Sequence, residues 1–315
     1  MVDQSKLAFI FPGQGSQFVG MGKDIYDACP IAKNIFDKAD DMLGFSISSL
    51  CFEGPEDKLK LTENTQPAIL TTSIALLKLL QEKIDINSAY VAGHSLGEYT
   101  ALVCAGALSF EDAILSVNKR GQYMQSAVPL GVGTMAAIIK TSEDVVQEMC
   151  DQVSREGHIV INANINCPGQ YVISGHTEAV KEVMVLAKAK RAMAIPLAVS
   201  APFHSPLMKK AADNLKGWLD GITFNDLKIP LVNNADVEIL RSGTEARASL
   251  IRQMQASVKW EASMRKLIGM GVNTFVEIGP GKVLAGMMKR IDREVKVISV
   301  SDVTTLESAV DILNG

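Results

Sequence analysis

No two of the five cysteines, Cys29, Cys51, Cys104, Cys150 and Cys167, stand in a C-x-x-C pair, and their number is odd. Neither a disulfide framework nor a zinc site is expected of them, and a reducing compartment suits them best. Long apolar runs are also missing. The most apolar stretch, 89–108, is interrupted by His94 and Glu98, and Leu7-Ala-Phe-Ile-Phe11 is too short for the core of a signal peptide. A cytoplasmic protein with no membrane partner is expected. There is no basic excess: 31 Lys and Arg stand against 35 Asp and Glu, a formal charge of -4. Phosphate contacts need clustered cations, so no nucleic-acid partner is expected. Internal repeats and low-complexity segments are absent as well. What remains is 47% hydrophobic and 21% charged, an ordinary globular composition. At 315 residues the chain slightly exceeds what one core usually serves, so a main domain with a smaller unit is expected, acting as a monomer.

The apolar run 7–11 is closed by Pro12 and Gly13, as a strand buried on both faces would be. Ile31, Ile35, Ala39 and Met42 repeat at helical spacing. A long helix is predicted from Pro67 to about Lys83, starting at Asn64 or Thr65, and a second strand over 89–92. Ser109 with Asp112 three residues on reads as a variant capping box opening a helix to about Ala127. Past the break at 129–133 the pattern runs strand 135–139, helix 142–155, strand 159–165, strand 171–174, helix 178–190, strand 193–199. That β-α-β-β-α-β order is the split βαβ arrangement of a ferredoxin-like unit. Helix–strand alternation then resumes, with helix 206–219, strand 229–232, helices within 247–270 and strand 274–278, implying a parallel sheet covered on both faces. The predicted division is a discontinuous α/β core, 1–130 and 200–315, interrupted by a subdomain, 131–199.

Gly93-His-Ser-Leu-Gly97 fits G-x-S-x-G between an apolar strand and a helical pattern. At such an elbow small neighbours permit a tight turn, the hydroxyl of Ser95 projects, and the helix N-terminus favours negative charge beside it. The bland alternative is a glycine-rich turn whose serine caps a helix. A serine needs a base, and four histidines are present. His94 shares the turn and should point elsewhere, and His158 and His176 fall in the predicted subdomain. His204 remains, held between Pro202 and Pro206 at the re-entry into the core. A histidine packed under a loop is the competing reading.

Ala113, Val117, Arg120 and Met124 share one helix face, which puts a guanidinium on an apolar stripe. Burial there is costly unless acceptors meet the charge. The bland reading pairs it with a protein Asp or Glu. Gly279-Pro-Gly-Lys282 is not a phosphate loop, having Val276 and Val283 where such a loop needs glycine and Ser or Thr.

These residues, with Phe11-Pro-Gly-Gln-Gly-Ser-Gln17, Thr65-Gln-Pro-Ala68, Gly93-His-Ser-Leu-Gly-Glu98, Arg120-Gly, Asn166-Cys-Pro-Gly-Gln170, Pro202-Phe-His204, Val232-Asn-Asn234 and Glu277-Ile-Gly-Pro-Gly-Lys282, resemble the malonyl-CoA:acyl carrier protein transacylases and the related acyltransferase domains of polyketide synthases. The resemblance runs nearly end to end. It implies an α/β-hydrolase-like parallel-sheet core with an inserted ferredoxin-like subdomain. It implies Ser95 as nucleophile, His204 as its base and the backbone carbonyl of Gln253 orienting the imidazole, although Ser257 stands where relatives often carry proline. The backbone N–H groups of Leu96 and Gln14 would form the oxyanion hole. Arg120 would bind the free malonyl carboxylate, and Phe203 would leave little room for an α-methyl group, giving preference over methylmalonyl without exclusion.

The implied partners are malonyl-CoA and an acyl carrier protein of fatty acid synthesis. The implied reaction is ping-pong through a malonyl-serine, with no metal or redox cofactor. Lys188, Lys190 and Arg191 are the basic residues nearest the subdomain junction, and a solvated surface run is the plainer reading of them. A serine esterase or thioesterase, and a silent subunit that merely holds a carrier, are the rival readings. Arg120 and the missing acid argue against the first. The joint presence of Ser95, His204 and Arg120 argues against the second.

Overall fold

The structure, a computed structural model, describes residues 2–199 and 201–315. Strand β1 (Leu7–Phe11) is buried along its whole length, and its side chains go alternately to two cores. Leu7, Phe9 and Phe11 join one with the helix Thr62–Lys83, whereas Ala8 and Ile10 join the other with the helices Trp260–Gly269 and Val283–Ile291. An unbroken apolar run is what a strand covered on both faces requires.

The remaining strands are β2 (Tyr90–Gly93), β3 (Gly133–Ile139), β4 (Val160–Cys167), β5 (Gln170–His176), β6 (Met193–Pro196), β7 (Leu231–Val232), β8 (Ile239–Leu240), β9 (Thr274–Ile278) and β10 (Lys296–Val300). They form a six-stranded sheet, β10-β9-β1-β2-β7-β8, and a four-stranded sheet, β4-β5-β3-β6. The first is parallel except for the terminal hairpin strand β8, and the second is antiparallel throughout. The second sheet, with the helices Glu143–Val153 and Thr177–Ala189 and their own core around Val146, Ile173 and Val183, has the ferredoxin-like order expected from the sequence.

Register fixes where the loops meet. Phe11 pairs with Gly93 and Ile10 with Glu277, so the turns that follow β1, β2 and β9 emerge side by side at the carboxyl edge of the sheet. Val91 pairs with Leu231, which brings Asn233 and Asn234 to the same edge. Ligand sites of open α/β sheets lie along this edge.

Two helices differ from the sequence expectation. The long helix begins at Thr62, and Pro67 lies inside it. Proline cannot donate to the carbonyl four residues back, and here Asn118 Nδ2 donates to the Glu63 carbonyl at 2.9 Å instead. In the helix Pro30–Leu43 the buried stripe is Ala32, Phe36 and Ala39, rotated by one residue from the Ile31–Ile35 line, because the large ring of Phe36 takes the core position. The helix from Ser109 is capped as predicted, Asp112 N–H donating to Ser109 Oγ at 3.0 Å, and runs over Phe110–Gln125.

Candidate active site

Ser95 sits at the tip of the strand-to-helix turn with a left-handed backbone, φ 51°. That conformation is unusual for a residue with a Cβ and concentrates at functional turns. Steric contact dictates the neighbouring glycines: a Cβ on Gly93 would overlap the Gly97 carbonyl, and one on Gly97 would overlap the carbonyl of Phe11. Asn234 completes the turn, its Oδ1 accepting from Ser95 N–H at 2.7 Å and its Nδ2 donating to the Gly93 carbonyl at 2.8 Å.

The structure brings His204, the histidine left by elimination, to Ser95. His204 Nε2 is 2.7 Å from Ser95 Oγ, and Nδ1 is 2.9 Å from the Gln253 carbonyl. With a carbonyl as its partner, Nδ1 carries the proton and Nε2 faces the hydroxyl as an acceptor. His204 is also left-handed, φ 57°, and buried. Burial, reinforced by the Arg120 charge and only partly opposed by the bond to Gln253, pushes the imidazole down to about 3. It is therefore neutral at physiological pH. The other histidines are engaged elsewhere: His94 Nε2 with Asn166 Oδ1 at 2.8 Å, His158 with Glu182 at 3.1 Å, and His176 Nδ1 with the Ile159 N–H at 2.8 Å.

Arg120 is 1% exposed, yet among the described residues no carboxylate lies within ion-pair distance of it. One terminal nitrogen donates to Gln66 Oε1 at 2.8 Å. The other donates to Gln253 Oε1 at 2.8 Å and to Ser95 Oγ at 3.1 Å. The guanidinium also lies 5.7 Å from the centroid of the Tyr99 ring. A neighbouring glycine brings the helix close: a Cβ on Gly121 would stand 2.5 Å from the Cα of Glu63. Among the described residues, the competing reading of a protein salt bridge finds no partner.

Gln14 follows β1 in a loop pressed against the elbow, since a Cβ on Gly13 would overlap the His94 carbonyl. Its side chain donates to Thr62 Oγ1 at 3.4 Å. Among the described residues, the N–H groups of Gln14 and Leu96 donate to no other backbone carbonyl. Phe203 is buried immediately before His204. Ser257, in the proline position of relatives, donates to the Asn162 carbonyl at 2.7 Å and leaves the Gln253 carbonyl on His204.

Three contributors were not given roles from the sequence: Gln66, Asn234 and Glu98. Glu98 is 1% exposed, accepts from Asn234 N–H, Gln253 Nε2 and Ser249 Oγ at 3.0, 3.0 and 3.3 Å, and is pushed by burial up to about 7 against those donors. Gln66 and Asn234 lie in the segments Thr65-Gln-Pro-Ala68 and Val232-Asn-Asn234. Their signals were membership of these family segments and polarity, neither of which assigned a role.

A strand-to-helix serine elbow with an imidazole at hydrogen-bond distance, on a mostly parallel α/β sheet, is an arrangement suited to acyl transfer. Residues 8–308 match the acyl transferase domain family. The malonyl CoA-acyl carrier protein transacylase of Bacillus subtilis is 51% identical over 312 residues, 98% of each chain. That of Escherichia coli K12 is 43% identical, covering 98% of this chain and all of the relative. Among solved structures, the malonyl CoA-acyl carrier protein transacylase of Coxiella burnetii superposes with a TM-score of 0.95 at 39% identity over 98% of each chain. A type II PKS acyl-carrier protein in complex with its malonyl-transacylase gives 0.95 at 43% identity, over 98% of this chain and 99% of that one. The chain belongs to the acyl transferase domain family.

Proposed function

We propose that the enzyme moves malonyl from malonyl-CoA to the pantetheine thiol of an acyl carrier protein serving fatty acid biosynthesis. The observation that carries this reading is the 3.1 Å separation of Arg120 from Ser95 Oγ. In malonyl a single methylene joins the free acid to the thioester carbonyl, so a cation that reads the acid must stand beside the nucleophile. A guanidinium suits this task because it grips carboxylates through two parallel bonds.

In the first half-reaction Ser95 Oγ attacks the thioester carbonyl while His204 Nε2 takes its proton. The N–H groups of Leu96 and Gln14 receive the oxyanion, the carbon–sulfur bond breaks, and the coenzyme A thiolate leaves with the proton from His204. A malonyl ester remains on Ser95. In the second, His204 deprotonates the carrier thiol, which attacks the ester, and Ser95 recovers its proton. The Gln253 carbonyl keeps the imidazole in one tautomer throughout. Arg120 does more than bind: it is the second cause, after burial, of the weak basicity of His204. A malonyl carboxylate meeting the guanidinium offsets that charge and restores proton affinity as substrate arrives. Phe203 limits the space for a substituent on the α-carbon, which favours malonyl over methylmalonyl by about 1 to 3 kcal/mol.

The chain is divided in this reading into a catalytic core, 1–130 and 200–315, and a ferredoxin-like subdomain, 131–199. A cytoplasmic setting is supported by five free cysteines and by the absence, among the described residues, of a helix long and apolar enough to cross a membrane. The test is intact-mass analysis after malonyl-CoA, followed by addition of carrier. A malonyl adduct that passes to the carrier is expected from the parent and none from Ser95→Ala; release of free malonate without transfer would identify a hydrolase instead.

A further inference from the structure

The mechanism leaves one buried ionisable group of the elbow unused. Glu98 lies on the helix Gly97–Cys104, three residues beyond the nucleophile, with no counter-ion bonded to it among the described residues. Its three partners are all donors, so the structure fits it as an acceptor. One oxygen, Oε2, takes both Asn234 N–H and Gln253 Nε2, while Oε1 takes the Ser249 hydroxyl, which in turn accepts from Asn233 Nδ2 at 2.8 Å.

Gln253 has a forked role. Its backbone carbonyl orients His204, and its side-chain oxygen accepts from Arg120 at 2.8 Å. The side-chain nitrogen donates to Glu98 Oε2 at 3.0 Å and also to the Ser95 carbonyl at 3.1 Å and Asn234 Oδ1 at 3.4 Å, so the carboxylate is the one charged acceptor among the three that fix which end of the amide faces the guanidinium. Were the amide reversed, its N–H groups would face the N–H groups of Arg120, and the cation would lose an acceptor. Glu98 thus stands opposite the arginine with an amide between them. The arginine is kept oriented without a carboxylate on it, and its charge stays open to a ligand's acid.

We propose that Glu98 is a positioning residue that determines specificity: by anchoring the Gln253 amide it aims Arg120 at the acyl carboxylate and sets the preference for malonyl over acetyl. This rests on the malonyl-transfer reading, and it places the effect on selectivity, which general loosening of the fold would not move.

The test compares malonyl-CoA and acetyl-CoA as donors to the carrier, using kcat/KM for each, in the full chain and in three variants of matched thermal stability. Glu98→Asp withdraws the carboxylate by one methylene and Glu98→Ala removes it. Each is expected to lower the malonyl-to-acetyl ratio by about ten-fold or more, since misplacing a reactive contact by about an ångström costs up to about a hundred-fold. Glu98→Gln keeps an oxygen for Asn234 N–H and Gln253 Nε2 and is expected to rescue the ratio to within about three-fold of the parent, the interaction being one of hydrogen-bond acceptance. If Glu98→Ala fails to fold, the contrast between Asp and Gln still decides. Equal losses on both donors in Glu98→Asp, or a Glu98→Gln variant as unselective as Glu98→Asp, would overturn the proposal. A parent enzyme that transfers no malonyl would instead overturn the functional reading beneath it.

Discussion

A buried guanidinium that meets two amide oxygens and a hydroxyl, and no acid, is held at the edge of what a protein interior tolerates. Arg120→Ala is therefore expected to cut kcat/KM for malonyl-CoA by about a hundred-fold or more, consistent with the loss of a charge-assisted pair, while acetyl transfer does not fall. Steady-state kinetics with both donors checks this. His204, pushed down to about 3, changes charge far below the range of an ordinary imidazole, and its neutral form acts at every physiological pH. The pH profile of kcat/KM for malonyl-CoA, which reports the free enzyme, should hold level from about pH 8 down to about pH 5.5, and an inflection near 6.5 would show an ordinary histidine. Glu98 titrates within that range, but its protonated form retains an oxygen for the Gln253 amide. Ser95, His204 and Arg120 were legible in the sequence because each carries a local mark: a glycine-flanked elbow, a proline-bracketed histidine, a cation on an apolar stripe. Gln66, Asn234 and Glu98 were not, because their roles arise from pairings across 54, 139 and 155 residues, as in Arg120–Gln66, Ser95–Asn234 and Glu98–Gln253. No local pattern encodes such pairings.

At the level of elements, the turns that shape the site are set by contact between backbones. Gly97→Ala would drive a methyl group into the Phe11 carbonyl, and a loss of about 3 kcal/mol or more in denaturant unfolding is expected, the upper range of overpacking. Asn118→Ala would leave the Glu63 carbonyl without the donor that Pro67 cannot supply, at an expected cost of about 1 to 3 kcal/mol by the same measurement. That carbonyl also explains why the helix start was misplaced: proline reads as a first-turn residue unless a side chain from another helix takes over its missing bond. The ferredoxin-like order was legible because its strands and helices alternate between clear breaks, even though β4 (Val160–Cys167) carries three asparagines among its apolar residues. The last strand, Lys296–Val300, and the helix Val303–Asn314 were not assigned from the sequence. An edge strand that is half exposed shows neither a continuous apolar run nor clean alternation.

For the molecule as a whole, the proposed mechanism runs both half-reactions through one serine and one imidazole, so initial rates with donor and carrier both varied should give parallel double-reciprocal lines; intersecting lines would mean a ternary complex. The basic residues near the subdomain junction are unequal. Lys190 is bonded to Glu148 at 3.0 Å, whereas Lys188 stands exposed in the last turn of the helix Thr177–Ala189 and Arg191 in the turn before β6. Reversing Lys188 and Arg191 together is expected to slow transfer to an acidic carrier about ten-fold at low salt while leaving malonyl-enzyme formation intact, as steering by charge would require. Unchanged transfer would remove these two from the docking surface. Chain order adds a consequence for biosynthesis. The alcohol of Ser95 and the cation of Arg120 are made early, a complete second sheet follows, and the imidazole comes 109 residues after the serine, with the carbonyl that steers it another 49 beyond. A ribosome must pass residue 253 before the reactive centre can be assembled, so partial translation products carry an inert hydroxyl and do not consume coenzyme A thioesters.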